Sequence, residues 1–228
     1  DAAHAMLQLA KGGLTLRQAI AAARGTLQLA AAAQTDVGTA ANTTARALTA
    51  FGLSGDHAGQ IADALANGAN AATGDIVDFA IGLSQSATSA HQFGLTAGQT
   101  VTALTELAQA GLVGSDAGTS LRVMLSRLLP TAKKARNEIK ALGIEVADTR
   151  TGAFLPFPEI IRQYSTALDR LNPKQRQFAL QTIFGTDAQR AANIILGSSR
   201  ARFEKLGVAV EKHGGAAKAA AAQQKGFK

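Results

Sequence analysis

The chain has no cysteine and no tryptophan, and aromatic residues make up 4 % of it. Without thiols there are no disulfides and no thiolate chemistry, although missing cysteine leaves the compartment open. With so few aromatics, alanine becomes the main apolar residue. Alanine has high helix propensity and a thin side chain, so its helices approach closely while each buries little area. A modestly stable, close-packed helical assembly is expected. At 228 residues the chain has length for a buried core, as one large domain or two small ones.

Residues 79–105 contain no Asp, Glu, Lys or Arg. They do contain Ser84, Gln85, Ser86, Thr88, Ser89, His91, Gln92, Thr96 and Gln99, far too many polar groups for a span of about 20 apolar residues. No leader is readable either. The chain begins at Asp1 with no methionine and no basic-then-apolar stretch, so it is expected to be a fragment or processed piece rather than a secretory precursor.

Catalytic patterns are sparse. His4, His57, His91 and His213 are widely separated in sequence, form no His-x-x-x-His pair, and read as surface or capping residues. Glu106 and Asp116 could form a carboxylate pair of the peptidoglycan-hydrolase kind, but helix solvation and N-terminal dipole roles explain them better. The Gly111–Gly118 run follows a helix, lacks a Lys-Ser/Thr ending and has no strand before it, so it does not read as a nucleotide loop. No catalytic residue, metal ligand or cofactor is nominated.

Charge is present but uneven. Residues 1–121 hold four bases against eight acids, while residues 122–228 hold nineteen bases against eight acids, within a net charge of +7. Lys133, Lys134, Arg136 and Lys140 fall in one predicted helix, and Arg200, Arg202, Lys205 and Lys212 in another. Solvated helix faces are the ordinary explanation. The basic rear also leaves a helical nucleic-acid-binding module as an alternative, through loose electrostatic contact with DNA. No aromatics interleave with the bases to stack on single strands.

Helix punctuation is abundant. Thr15 with Gln18, Thr96 with Gln99 and Thr186 with Gln189 fit the capping box; Asp36, Ser54, Thr73, Ser115, Asn172 before Pro173, and Ser198 are further N-cap candidates. Phe51-Gly52-Leu53-Ser54 and Phe93-Gly94-Leu95-Thr96 echo each other, with Asp36-Val37 and Asp75-Ile76 opening the helices that lead into them. This pattern predicts a duplicated helical hairpin in an irregular array. Ile144-Glu145-Val146, the turn residues 148–152 and Ala153-Phe154-Leu155 predict a small β-hairpin near 144–155, which Pro156 and Pro158 would end. The expected organisation is a helical-hairpin array over 1–142, a hairpin with a helical subdomain over 143–213, and an Ala/Lys-rich tail over 214–228 that is either helical or frayed. The fold class is mainly α.

The most specific punctuation is the run Gly111-Leu112-Val113-Gly114-Ser115-Asp116-Ala117-Gly118-Thr119-Ser120-Leu121-Arg122. Val101, Leu104, Leu107 and Ala108 precede it at helical spacing, and Leu121, Met124, Leu125 and Leu128 follow it likewise. Gly111 can end a helix in the left-handed region and Ser115 can cap the next, which predicts a tight corner. Gly111, Gly114, Ser115, Gly118, Thr119, Leu121 and Arg122 form the expected structural turn motif.

Ala110 through Arg122, followed by Leu125, Leu128, Leu129 and Pro130, resembles the core region of phage tail tape-measure proteins. Ala141-Leu142-Gly143-Ile144, Asp148 to Gly152, Ile160-Ile161, Leu180 to Gly185, and Ala188, Ala191 and Ala192 resemble later family motifs in the same order. The resemblance implies a non-enzymatic structural module of the virion, in the tail-tube lumen or tip, and in the host cytoplasm during assembly. It implies roles in tail-length determination, tail assembly and genome ejection. The implied partners are further copies of the chain, tail-tube and tail-tip proteins, assembly chaperones, non-specific DNA and, for the full-length protein, the host envelope.

Overall fold

Thin residues in the middle of a helix allow neighbours to crowd it, and the fold is organised around one such helix. The computed structural model describes residues 2–72 and 74–226. Its helices are α1 (Ala2–Lys11), α2 (Leu16–Ala32), α3 (Val37–Ala50), α4 (Ala58–Ala71), α5 (Ile76–Gln92), α6 (Ala97–Gln109) and α7 (Gly114–Ser126), then α8 (Lys133–Ala141), α9 (Phe157–Asp169), α10 (Pro173–Ile195), α11 (Arg200–Val210) and α12 (Gly215–Gly226). A 3-10 turn, Gly55–His57, leads into α4. The sequence of α4 is AGQIADALANGANA, and α2, α3, α5, α6, α11 and α12 all pack against it. A Cβ on Gly25 of α2 would lie 2.6 Å from the Ala58 carbonyl carbon, so the α2–α4 crossing exists only because that side chain is missing.

Most turns between the front helices share one construction. At the end of α6, Gly111 (φ 78°) donates its N–H to Ala108 O at 2.9 Å while Leu112 N–H reaches Leu107 O at 2.9 Å. This is a Schellman cap, and it returns the next residue's side chain to the core. Leu112 is accordingly buried. The same two bonds recur at Gly13-Leu14, Gly52-Leu53, Gly94-Leu95 and Gly143-Ile144. Four of the front helices are opened by side-chain caps: Thr15 and Thr96 with complete capping boxes, each directly after such a glycine turn, and Asp36 and Asp75 after turns of another kind. Asn172 forms another complete box ahead of Pro173.

Several expected caps are placed differently. Thr186 makes no capping box: α10 is two helical segments that meet at Gly185, whose backbone is non-helical (φ 62°), and the hydroxyl of Thr186, just past that break, donates to Asp187 Oδ1. Ser199, not Ser198, caps α11 by accepting Arg202 N–H. Ser54 makes no cap bond to the backbone and pairs with His57 Nδ1 at 3.0 Å. Asp75 opens α5, and the Thr73 candidate lies outside the described residues.

The polar content of the charge-free stretch is absorbed without charge. Buried Ser86, Thr100, Thr102 and Thr105 each donate to the carbonyl four residues earlier, at 2.8–2.9 Å. No helix among the described residues is long and apolar enough to cross a membrane.

The expected β-hairpin is reduced to one antiparallel bridge between Ala147 and Phe154, and the described residues contain no sheet. Asp148 N–H reaches Ala153 O at 2.8 Å and Leu155 N–H reaches Val146 O at 3.0 Å. Pairing stops there because Pro156 offers no N–H and α9 begins at Phe157. The Asp148 carboxylate pins the turn by accepting the Arg150 and Thr151 N–H groups. Residues 215–226 of the Ala/Lys-rich tail form α12, which returns onto α2 and α4.

Candidate functional site

The corner between α6 and α7 is built by close backbone approach on one side and by borrowed polar groups on the other. Gly114, at φ 58°, turns the chain, and a Cβ there would also meet Asp78 Oδ1 at 3.0 Å. Because the turn is made at Gly114, α7 starts one residue ahead of Ser115, with Val113 as a cap that makes no side-chain bond. Ser115 is therefore not the N-cap that its position suggested. It accepts a hydrogen bond from Gln85 Nε2 at 2.8 Å, and one turn later Thr119 Oγ1 donates to Gln85 Oε1 at 2.7 Å. The two hydroxyls thus hold both ends of one amide on α5.

Gly118 stands between them. A Cβ on it would lie 2.6 Å from Gly82 O and 2.8 Å from Gly82 Cα, so α5 and α7 cross backbone against backbone. Ala117 and Leu121 are buried beside this crossing, with Met124 and Leu125 fully enclosed beyond it, while Arg122 is exposed. The motif residues therefore act as a helix clasp as well as a turn. Their partners, Gly82 and Gln85, were not singled out from the sequence. A glycine in mid-helix costs about 1 kcal/mol relative to alanine, which is the available signal at Gly82; nothing local distinguishes Gln85.

The C-terminal end of α6 is held by arginines from the basic rear. Arg190 Nη2 donates to Ala110 O at 3.2 Å and Arg202 Nη2 to Gln109 Oε1 at 3.2 Å, placing positive charge at the negative end of the helix dipole. Arg202 therefore serves an internal contact and is not purely a solvated cation. Glu106 is the larger correction. Expected to solvate a helix, it is 1 % exposed, accepts a hydrogen bond from Ser198 Oγ at 2.8 Å, and has Arg202 Nε 3.8 Å from the same oxygen. Its Oε2 has no hydrogen-bond partner. Burial pushes its carboxyl up from 4.5 to about 7, against the opposing pull of Ser198 and Arg202. Asp116 is exposed in the first turn of α7.

The histidines are less scattered than their spacing implied. His57, His91 and His213 line one cavity of about 590 Å³, together with apolar Phe51, Ile61 and Leu95. His91 meets the Phe51 ring edge-on at 5.9 Å. No group of three or more His, Asp or Glu among the described residues has metal-holding geometry. The other basic cluster, Lys133, Lys134, Arg136 and Lys140, is exposed on α8, where Arg136 also bonds Thr131 O.

Two polar residues that the sequence gave no reason to select fasten the C-terminal helices. Asn67 Nδ2 on α4 donates to Val210 O at 2.9 Å and to Lys212 O at 2.6 Å. One turn earlier, Asp63 accepts the N–H groups of Gly214 and Ala216, both at 2.9 Å, and so caps α12 from another helix.

Known proteins match this chain over most of its length. It is 32 % identical over 218 residues to a protein named "Tape measure protein" of Pneumococcus phage Dp-1, covering 96 % of this chain and 19 % of that protein. It is 30 % identical over 218 residues to the "Probable tape measure protein" of Escherichia phage P2, covering 94 % of this chain and 27 % of that one. The chain thus spans a minor part of the curated relatives it matches. No solved structure matches. A family model described as "Phage-related minor tail protein" matches residues 1–185, which includes the whole α6–α7 corner, and the chain belongs to that family.

Proposed function

We propose that this chain is a compact, non-enzymatic structural module of a phage tail tape-measure protein, and so a component of the virion. The observation that carries this reading is the match of 96 % of the chain to a protein named for that role, of which it covers 19 %. Within the reading, the full-length protein occupies the tail-tube lumen, templates tube length during assembly with chaperones, contacts tube and tip proteins and its own copies, and leaves before or with the DNA towards the host envelope. Assembly takes place in the host cytoplasm.

The folded module is not the ruler. As one straight helix the 228 residues would span about 340 Å, whereas here the chain folds back until α12 lies on α2 and α4. The ruler is assigned to helical length outside this module. Thin alanine contacts, and buried hydroxyls in place of aromatic packing, support a module that unpacks for passage through a tube.

The test separates module from ruler. In a phage carrying the full-length gene, deletions and duplications are made in the helical region outside this segment, and tail length is measured by electron microscopy. Tail length is expected to change by about 1.5 Å per residue removed or added. Unchanged length would overturn the ruler assignment. Deleting this module while retaining the outside length is expected to abolish productive assembly; normal, infectious tails would sink the module reading.

A further inference from the structure

We propose that the groove beside α8 is a docking surface for an acidic, amphipathic helix of a partner protein. The groove has a volume of about 410 Å³ and apolar walls: Leu128, Leu129 and Pro130 after α7, Ile139 on α8, and Ile144 and Val146 beyond it. Arg136 and Lys140 also line it. Lys133, Arg136 and Lys140 fall at helical spacings of three and four, so they form one stripe along α8. All three are exposed, and none is ion-paired to an acid among the described residues.

Part of the basic rear is taken up by acids of the same chain. Arg127, Arg162, Arg176, Arg200 and Arg202 each stand within ion-pair distance of an acid of this chain. The α8 cations have no such partner, which is equally true of Arg122, Arg170, Lys174 and Lys205, but Arg136 and Lys140 also border an apolar trough. Leu129 lies in that trough with 49 % of its surface exposed. A helix that seats aliphatic anchors in the groove and turns carboxylates towards the stripe satisfies both features. A phosphate backbone would satisfy the charges but leave Leu129 and its apolar neighbours unused. The observations therefore favour a peptide over DNA.

The test uses a fluorescein-labelled synthetic helical peptide of about 18 residues, with leucines at groove-facing positions and glutamates beside them. It is titrated by anisotropy against the complete chain, in parallel with random-sequence duplex DNA. Saturable peptide binding is expected. Leu129→Ser and the double variant Arg136→Glu/Lys140→Glu should each weaken it by about tenfold or more, and Arg24→Glu on α2 should leave it unchanged. The side chains replaced at 129 and 140 are exposed, so Leu129→Ser and Lys140→Glu alone keep the test available if the double variant loses its far-UV circular dichroism. Absence of saturable peptide binding at low salt would overturn the proposal, as would binding indifferent to Leu129→Ser. DNA binding that is tighter than peptide binding and independent of Leu129 would reassign the patch to phosphate.

Discussion

The front helices are joined by punctuation within the chain's own neighbourhood, and the rear helices by polar side chains reaching across it. From α1 to α7, every turn carries a glycine-aliphatic cap, a Thr or Asp opening the next helix, or, before α2 and α6, both, all within a few residues. From α10 onward the fastenings are Arg190 on Ala110 O, Ser198 on Glu106, Asn67 on Val210 O, and Asp63 on the start of α12. Local caps set the direction of each helix whether or not its partner is present. Cross-chain bonds act only once both sides are folded, so the C-terminal helices should open at lower free energy than the front array.

The strongest challenge to this contrast is at the front crossing, where geometry tolerates no side chain. Gly118→Leu must drive apart the backbones of α5 and α7, and a loss of roughly 3 kcal/mol or more is expected in urea unfolding. Gly59 on α4 is the control, since a Cβ there meets nothing within 4 Å. Gly59→Ala should be neutral or gain up to about 0.5 kcal/mol. If the two substitutions behaved alike, backbone contact would not be what clasps the corner.

Glu106 links the two halves and makes the link sensitive to pH. Its carboxyl is raised in the folded state, so folding favours the protonated form. That contribution is complete below the ordinary value of 4.5, falls as pH rises towards about 7, and is constant above. Unfolding free energy should therefore drop by roughly 2–3 kcal/mol between pH 5 and pH 8. Glu106→Gln keeps an oxygen for Ser198 Oγ but cannot ionise, so it should flatten that slope and stabilise the protein at pH 8. The lowered carboxyls of Asp36, Asp148 and Glu159 act at more acidic pH and leave this window clear. An equal slope in the variant would show that Glu106 is not the group responsible.

The rear is sharpened by Asp63→Ala. Removing the carboxylate leaves the Gly214 and Ala216 N–H groups without their cap, at a cost of about 1 kcal/mol. Amide exchange over residues 215–224 should accelerate about fivefold while α2 and α3 keep their protection. Uniform acceleration throughout would mean that α12 does not open separately.

What the sequence made legible follows the same division. The cap residues at Thr15, Asp36, Thr96 and Asn172, and the Gly111 helix end, are short-range chemistry, and the structure places them where the pattern pointed. Ser115 and Ser198 have the composition of caps but are drawn to Gln85 and Glu106, residues distant in sequence. No periodicity reports such a pairing. The convergence of His57, His91 and His213 on one cavity was hidden for the same reason. Alternation around 144–155 marked an extended stretch but could not show that α9 begins too soon for more than one bridge.

Among the described residues, a side chain replaces glycine at the left-handed position of a front turn. After α2 the left-handed position is taken by Gln34, at φ 50°, with Thr35 N–H still reaching Ala30 O at 3.1 Å. A side chain in that region is disfavoured by about 1 kcal/mol relative to glycine. Gln34 nevertheless has a use, since its amide bonds Gln223 on α12. Gln34→Gly should relieve the backbone and forfeit that exposed bond, for a net gain of about 0.5 kcal/mol, or 1–2 °C in melting temperature. The same substitution in a chain truncated before residue 215 has no bond left to lose and should gain more. A smaller gain in the truncated chain would mean that the Gln34 amide contributes nothing to holding α12, leaving Asp63 as the principal tie between α12 and the front.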